Sequence, residues 1–246
     1  MLTSRAWAQT WAALRLLAAA AGVAAIIGQL VRTLSRSAEN GWPLGPTAID
    51  FFSFFTILSN VGAAIALTIG AILIWRGTRV DPAWFASLLA AVSTYMLITG
   101  IVYNTLLRNI PLPQGSTVPW SNEILHVWAP LFLLLDVVLG PLRRRLPWRA
   151  LWTVIAFPIV WVVYTLVRGP LITDFRTGTP WWYPYPFLNP NIQPWGYGGV
   201  ALYVIGIAAG ILVLAAGVIW VGRRRGADPA EASGRLSSAE APGPAQ

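Results

Sequence analysis

The sequence predicts an all-α, polytopic membrane protein whose six transmembrane helices form one bundle. Of its 246 residues, 56% are hydrophobic and 11% are charged, whereas about a quarter of the residues in a soluble domain carry charge. Six apolar stretches approach the roughly 20 residues that a helix needs to cross the hydrocarbon layer. Because the backbone finds no water there, these stretches are expected to be helical.

The six predicted spans are separated by short, more polar connections. They run from about Thr10 to Val31, Phe51 to Trp75, Ala83 to Leu107, Ser121 to Leu139, Ala150 to Val167 and Gly199 to Val221. The first resembles a signal peptide, but its apolar run is longer than a signal peptide requires, which favours an uncleaved span. Residues 1–225 are therefore the predicted six-helix domain. Residues 226–246 are rich in Ala, Pro, Gly and Ser and predict a disordered cytoplasmic tail.

The arginines predict the orientation of the bundle. All 17 basic residues are Arg, and the clusters Arg143–Arg145 and Arg223–Arg225 fall on the same side of a six-span chain. Because positive residues concentrate in cytoplasmic loops, both termini are predicted to be cytoplasmic. Tryptophans near both ends of the spans are typical of the two membrane interfaces. We expect the chain to lie in the plasma membrane.

The composition excludes several kinds of site. The chain has no Cys and one His, which excludes disulfides, thiolate metal sites, bis-His haem and any site with two imidazoles. We expect neither a metal nor a cofactor. The net charge of +8 lies in short clusters between apolar runs, which argues against nucleic acid as a partner. The oligomeric state stays open.

Polar residues at apolar depth mark a candidate site. Ser53, Thr56 and Asn60 recur at i, i+3 and i+7 on the second span, so they share one helix face. Asn122 and His126 are four residues apart and share a face of the fourth span. Thr56 and His126 each lie about five residues inside their spans, roughly 8 Å below the outer boundary. If the two helices face each other, the threonine hydroxyl and the sole imidazole can meet.

Pro130 is expected to kink the fourth span. Because proline has no N–H, the carbonyl of His126, four residues earlier, loses its helical partner. Tyr103 and Asn104 lie near the outer end of the third span. Asn104, like Asn60, also has a structural interpretation, because asparagine commonly joins membrane helices.

Two acidic residues are predicted to pair with arginines. Glu123 and Arg108 both lie near the outer surface, where an ion pair contributes little to stability. Asp136 ends the fourth span close to Arg143–Arg145 and is predicted to be their structural partner. The longest outer connection, residues 168–198, contains several prolines and aromatics, which suit a stiff cap over the bundle.

Three short strings resemble those of the androgen-induced protein family, and its bacterial branch most closely. They are FFTILSN at 54–60, WSNEILH at 120–126 with Pro130 following, and YPFL at 185–188. The resemblance extends from the second span to the sixth and implies six spans with cytoplasmic ends. It also implies intramembrane hydrolysis of fatty acid esters of hydroxy fatty acids, with Thr56 as nucleophile and His126 as its partner. Glu123 stands where the animal members carry a second His.

The predicted function is therefore hydrolysis of a lipid ester near the outer leaflet. A threonine hydroxyl is a weak nucleophile that needs a base, and His126 is the side chain that titrates near neutrality. Candidates for the oxyanion donor or for contacts with the substrate are Asn122, Asn104, Tyr185, Asn60 and Ser53. The predicted partner is a membrane lipid or a fatty acyl ester.

Two other functions stay open from the sequence. The same polar cluster can hold a lipid or small solute in a non-enzymatic binding or transport protein, and the chain can be a purely structural membrane subunit. The sequence shows no pair of half-helices broken by Gly and Pro at the membrane midplane, which argues against alternating-access transport.

Overall fold

A computed structural model describes residues 4–110 and 116–226, and within these ranges the chain is helical with no β-sheet. The helices are α1 (Arg5–Glu39), α2 (Leu44–Phe52), α3 (Phe55–Trp75), α4 (Ala83–Val102), α5 (Pro119–Glu123), α6 (Ala129–Leu139), α7 (Ala150–Arg168) and α8 (Tyr197–Arg225). The π-helical turn Tyr103–Leu107 extends α4, and the π-helical turn Ile124–Trp128 joins α5 to α6. All but the first residue of the predicted tail lies outside the described residues.

Six helical stretches in the described ranges are long and apolar enough to cross a membrane. They correspond to the six predicted spans, so the chain has the architecture of a multi-pass membrane protein. The third span, Ala83–Leu107, has the predicted bounds. The first helix is much longer than predicted: its 35 residues extend about 50 Å at 1.5 Å per residue, beyond the thickness of the hydrocarbon layer.

The start of α1 and the end of α8 lie at the same end of the bundle, which we call the terminal side. Trp11 and Arg15 near the start of α1 contact Asp136 near the end of α6. Arg225, at the end of α8, donates a hydrogen bond to the carbonyl of Val137 at 3.3 Å. The opposite end, which carries the connection between α7 and α8, is called the loop side.

Helix α4 lies at the centre of the bundle and contacts α3, α6, α7 and α8. Its residues Phe85, Leu89 and Met96 are fully buried and pack against Leu67 of α3 and Leu133 of α6. By contrast, α7 and α8 expose large apolar side chains along most of their length. Such exposure is expected of helices that face lipid rather than water.

A buried ion pair joins α1 to α6 on the terminal side. Arg15 and Asp136 are both fully buried, and Arg15 Nε donates to Asp136 Oδ1 at 2.7 Å. Arg143 also donates to this carboxylate, at 2.8 Å, as the sequence predicts for Asp136. The sequence did not predict the Arg15 contact. Because an isolated charge at apolar depth is costly, each of these groups requires its partner.

The predicted second span is wrong at its start, because the helix breaks at Ser53 and Phe54, between α2 and α3. The break frees backbone groups, and distant aromatic side chains satisfy them. Trp161 of α7 donates its indole N–H to the carbonyl of Ser53 at 3.0 Å. The hydroxyl of Tyr185 accepts from the first amides of α3, including that of Thr56 at 3.2 Å. Ser53 therefore does not continue the helix face of Thr56.

A cluster of charges holds the cap on the loop side. Asp50 of α2 is buried, and its two carboxylate oxygens accept from Arg168 at 2.7 Å and from Arg176 at 2.9 Å. Arg168 also lies over the ring of Trp182, at 4.9 Å from its centroid. These contacts join α2, the end of α7 and the following connection, which packs over the bundle as the sequence predicts.

Candidate functional site

Thr56 lies in the first turn of α3, with its backbone amide and its hydroxyl both at 3.2 Å from the Tyr185 hydroxyl. Either hydroxyl can be the donor in this pair, and the backbone amides that donate to the Tyr185 oxygen favour the arrangement in which Tyr185 donates to Thr56 Oγ1. Burial raises the pKa of Tyr185, so the phenol stays protonated and donates at neutral pH. Thr56 therefore keeps its own hydroxyl proton for another acceptor. The positive end of the α3 dipole favours negative charge on its oxygen.

A cavity of about 250 Å³, here called the central cavity, opens beside Thr56. Its walls come from α3, α4, α7, α8 and the segment 185–188, and most of its lining side chains are apolar. The residues with hydroxyl groups that line it are Thr56, Thr99, Tyr103 and Tyr185. Ile159 and Leu212 also line it and are 53% and 46% exposed on the surfaces of α7 and α8. The cavity therefore reaches the part of the surface that faces lipid.

His126 lies in the π-helical turn behind one wall of this cavity. Its Nδ1 is 2.9 Å from the carbonyl oxygen of Asn122, so in the neutral ring Nδ1 carries the proton and Nε2 keeps its lone pair. The ring stacks on that of Tyr103, with centroids 3.9 Å apart. Tyr103 lines the central cavity, whereas His126 does not. Within the described residues no hydrogen bond joins His126 to Thr56.

Asn60 and Asn104 donate to the two carbonyls that an N–H at residue 130 could otherwise reach. Pro130 lies five residues after Leu125 and four after His126, so its missing N–H would have bonded the carbonyl of Leu125 in a π pattern or that of His126 in an α pattern. Asn60 donates to the carbonyl of Leu125 at 3.2 Å, and Asn104 donates to that of His126 at 3.3 Å. Thus α3 and α4 both contact the π-helical turn, and both asparagines join helices.

Ser53 and Asn122 do not line the central cavity, and their side chains form hydrogen bonds elsewhere. Ser53 Oγ donates to the carbonyl of Ile49 at 2.8 Å and lies 3.0 Å from the hydroxyl of Tyr164. The side-chain amide of Asn122 donates to the hydroxyl of Tyr103. Of the residues singled out from the sequence, Thr56 and Tyr185 thus meet directly in the cavity wall. His126 and Asn122 contact Tyr103 and do not line the cavity themselves.

Tyr103 lies between the pair Thr56 and Tyr185 and the pair His126 and Asn122. From the sequence, only its position near the outer end of the third span was predicted. Its ring contacts His126, its oxygen accepts from Asn122, and the guanidinium carbon of Arg108 lies 5.6 Å from its centroid. Arg108 is held by Glu123 at 2.5 Å, the ion pair that the sequence predicts. The feature of the sequence that could have identified Tyr103 as a site residue is its position beside Asn104, at the predicted depth of the other polar residues.

Comparisons of the chain with known protein families, with characterised proteins and with solved structures give no match. The resemblance to the androgen-induced protein family therefore stays a prediction that rests on the three short strings. The geometry of the central cavity supplies the other support for a function.

Proposed function

We propose that the chain is a plasma-membrane protein that hydrolyses an ester of a membrane lipid in the central cavity, with Thr56 as nucleophile. One observation carries the proposal: a threonine hydroxyl at a helix N-terminus lies in the wall of an apolar cavity that reaches the lipid-facing surface. The arginine distribution supports cytoplasmic termini. With that orientation the loop side, and with it Thr56, lies toward the outer leaflet.

The cavity walls suit an acyl chain that enters from the bilayer. Its lining is aliphatic and aromatic apart from four hydroxyl groups, so burial of a hydrocarbon chain there is favourable. Entry between α7 and α8 leads past Ile159 and Leu212 to the hydroxyls at Thr56 and Tyr185. A lipid can thus present an ester carbonyl to Thr56 without leaving the membrane.

In the proposed reaction, Thr56 Oγ attacks the ester carbonyl carbon, and its hydroxyl proton passes to His126 Nε2 by way of one water molecule, because no hydrogen bond joins the two side chains directly. The carbonyl π electrons move to oxygen, and the tetrahedral intermediate then expels the alcohol, which receives that proton from His126. Water attacks the acyl-threonine in the same way and releases the fatty acid. The carbonyl of Asn122 holds the His126 tautomer in which Nε2 is the base.

The resemblance to the androgen-induced protein family supports a narrower substrate class. Its animal members act on fatty acid esters of hydroxy fatty acids, and their Thr and His fall on Thr56 and His126. The apolar cavity beside Thr56 is compatible with an acyl chain of such an ester.

A non-enzymatic lipid-binding protein is the second candidate, and one observation favours it. Thr56 Oγ1 pairs with Tyr185 and not with His126, and the ring of Tyr103 lies against His126 and lines the cavity. On this alternative the hydroxyl groups bind a lipid headgroup or carbonyl and no covalent intermediate forms.

Labelling by a fluorophosphonate probe distinguishes the two functions. A nucleophilic Thr56 attacks phosphorus, forms the O–P bond and expels fluoride, so we expect the wild-type protein in detergent micelles to be labelled. Thr56→Ala should abolish the label, and Thr56→Ser should retain it. Thr68→Ala is the matched control, because Thr68 is on the same helix but bonds its own backbone.

Mass spectrometry of the labelled peptide gives the attachment point. Equal labelling of wild-type and Thr56→Ala proteins would show that Thr56 is not the nucleophile. A wild-type protein that takes no label but co-purifies with lipid, and keeps that lipid in Thr56→Ser, would favour the binding protein.

A further inference from the structure

The proposed reaction needs a hydrogen-bond donor for the carbonyl oxygen that becomes negative, and most candidate donors are already engaged. Both side-chain N–H groups of Asn60 and of Asn104 donate to backbone carbonyls, at distances between 2.7 and 3.3 Å. In the favoured arrangement, the Tyr185 proton is directed toward Thr56 Oγ1. Ser53 Oγ donates to a carbonyl of its own helix. None of these groups has a proton left for a substrate.

Unlike these groups, Tyr103 has a hydroxyl proton that no described residue accepts. Its oxygen accepts from the side-chain amide of Asn122, so its own proton is directed elsewhere. Within the described residues that proton has no acceptor, and Tyr103 lines the central cavity together with Thr56. A cavity-lining residue whose phenol proton is not used by the described residues can serve as an oxyanion donor.

Three neighbours fix the orientation of the Tyr103 ring. It stacks on His126 with centroids 3.9 Å apart, and Arg108 lies 5.6 Å from its centroid. Asn122 contacts both aromatic residues, since its side chain donates to Tyr103 and its carbonyl accepts from His126. Such preorganisation lets a donor stabilise charge without reorganising during the reaction.

We propose that Tyr103 is the oxyanion donor of the site, positioned by Asn122. This inference rests on the proposed hydrolase function and adds a catalytic residue to it. As Thr56 Oγ bonds to the carbonyl carbon, the carbonyl oxygen gains the π electron pair and accepts a hydrogen bond from Tyr103. Tyr103 keeps its proton throughout, so the step needs no further reactant. When the intermediate collapses, the C=O bond reforms and the hydrogen bond weakens.

Tyr103→Phe tests the donor, because it removes the hydroxyl and retains the ring that stacks on His126. With the fluorophosphonate probe, the phosphoryl oxygen takes the place of the carbonyl oxygen. We expect the maximal labelling rate to fall about 100-fold, while the probe concentration that gives half of that rate stays unchanged. Tyr203→Phe is the matched control, since Tyr203 packs on Phe187 outside the proposed machinery. Its labelling rate should equal that of the wild-type protein.

Asn122→Ala is a second variant for the case that Tyr103→Phe does not fold. It leaves the Tyr103 hydroxyl in place but releases it from its orienting donor, so we expect a smaller loss in the maximal rate. The thermal unfolding midpoint of each variant in micelles shows whether its fold is retained.

The outcomes separate this inference from the function on which it rests. If Thr56→Ala is unlabelled and a folded Tyr103→Phe reacts at the wild-type rate, Thr56 stands as nucleophile and Tyr103 is not the donor. If Thr56→Ala reacts like the wild type, the hydrolase proposal fails and the oxyanion role with it. A slow Tyr103→Phe beside an unlabelled Thr56→Ala supports both.

Discussion

Asp81 is a single carboxyl group buried at the terminal side without a hydrogen-bond partner for either oxygen. It is 1% exposed, and its backbone N–H donates to the carbonyl of Leu142 at 2.7 Å. With Arg143 and Arg144 it lines a cavity of about 20 Å³, enough for one water. Burial raises the pKa of Asp81 to about 7, although the charges of Arg143 and Arg15 oppose this rise.

The stability of the protein should therefore depend on the protonation of Asp81. An unfolded Asp ionises near 3.8 and the folded one near 7, so between these values the folded state binds more protons. Stability is then lost as pH rises through this window and levels off above it, with a total loss on the order of a few kcal/mol. The nearby carboxylate of Asp136 contributes to the rise in the pKa of Asp81. Asp136 is present both in the wild-type protein and in Asp81→Asn.

Asp81→Asn is the matched variant, because it keeps the shape of the side chain and removes its titration. We expect its thermal unfolding midpoint in micelles to decline less than that of the wild type between pH 5 and 8. At pH 8 it should be the more stable of the two. An unchanged pH slope in Asp81→Asn would show that Asp81 is already ionised throughout this range.

The π-helical turn Ile124–Trp128 is the element on which the site depends. Pro130 has no N–H to donate to the carbonyl of Leu125 or of His126, and asparagines of two different helices donate to these carbonyls instead. The turn therefore carries His126 only while α3 and α4 lie against it. The geometry of the turn depends on its contacts with α3 and α4. The polar residues of the candidate site accordingly lie on the turn and on these two helices.

Asn60→Leu should lower the free energy of unfolding by about 1–3 kcal/mol, because it leaves the carbonyl of Leu125 buried without a donor. Part of this loss should disappear in a Pro130→Ala background, where residue 130 regains an N–H for the carbonyls of the turn. Unfolding by denaturing detergent in the four variants of the cycle measures the coupling. Equal losses in both backgrounds would mean that Asn60 does not compensate for Pro130.

At the scale of the whole molecule, the start of α1 and the end of α8 lie on the terminal side, together with the clusters Arg143–Arg145 and Arg223–Arg225. Arg79, in the connection between α3 and α4, and Thr177, between α7 and α8, are exposed and lie at opposite ends of the bundle. The positive-inside rule predicts that the terminal side lies in the cytoplasm.

Single cysteines test this orientation directly, because the chain has no native cysteine. On intact cells, a membrane-impermeant maleimide should label Thr177→Cys and should leave Arg79→Cys unlabelled. After the cells are lysed, both variants should react, which controls for accessibility of the thiol. Labelling of Arg79→Cys alone on intact cells would place the termini outside and Thr56 near the cytoplasmic leaflet.

The sequence by itself determined the number of apolar helices that can span a membrane and the bounds of the third span. It also placed the Glu123–Arg108 pair and the carbonyl that Pro130 frees. The spans and the freed carbonyl are local features, since a run of apolar residues must form a helix in lipid whatever its neighbours are. A missing N–H likewise acts four or five residues away on the same helix.

Tertiary structure alone decided which polar groups meet. The break before α3 is stabilised by Trp161 and Tyr185, 108 and 129 residues from their partners, and Arg15 finds Asp136 across 121 residues. The packing of the helices also placed Tyr103, which lines the cavity, beside His126. The physical reason is that a buried polar group takes whatever partner the packed helices bring within about 3 Å, and the order of residues along the chain does not fix which helix faces hold them.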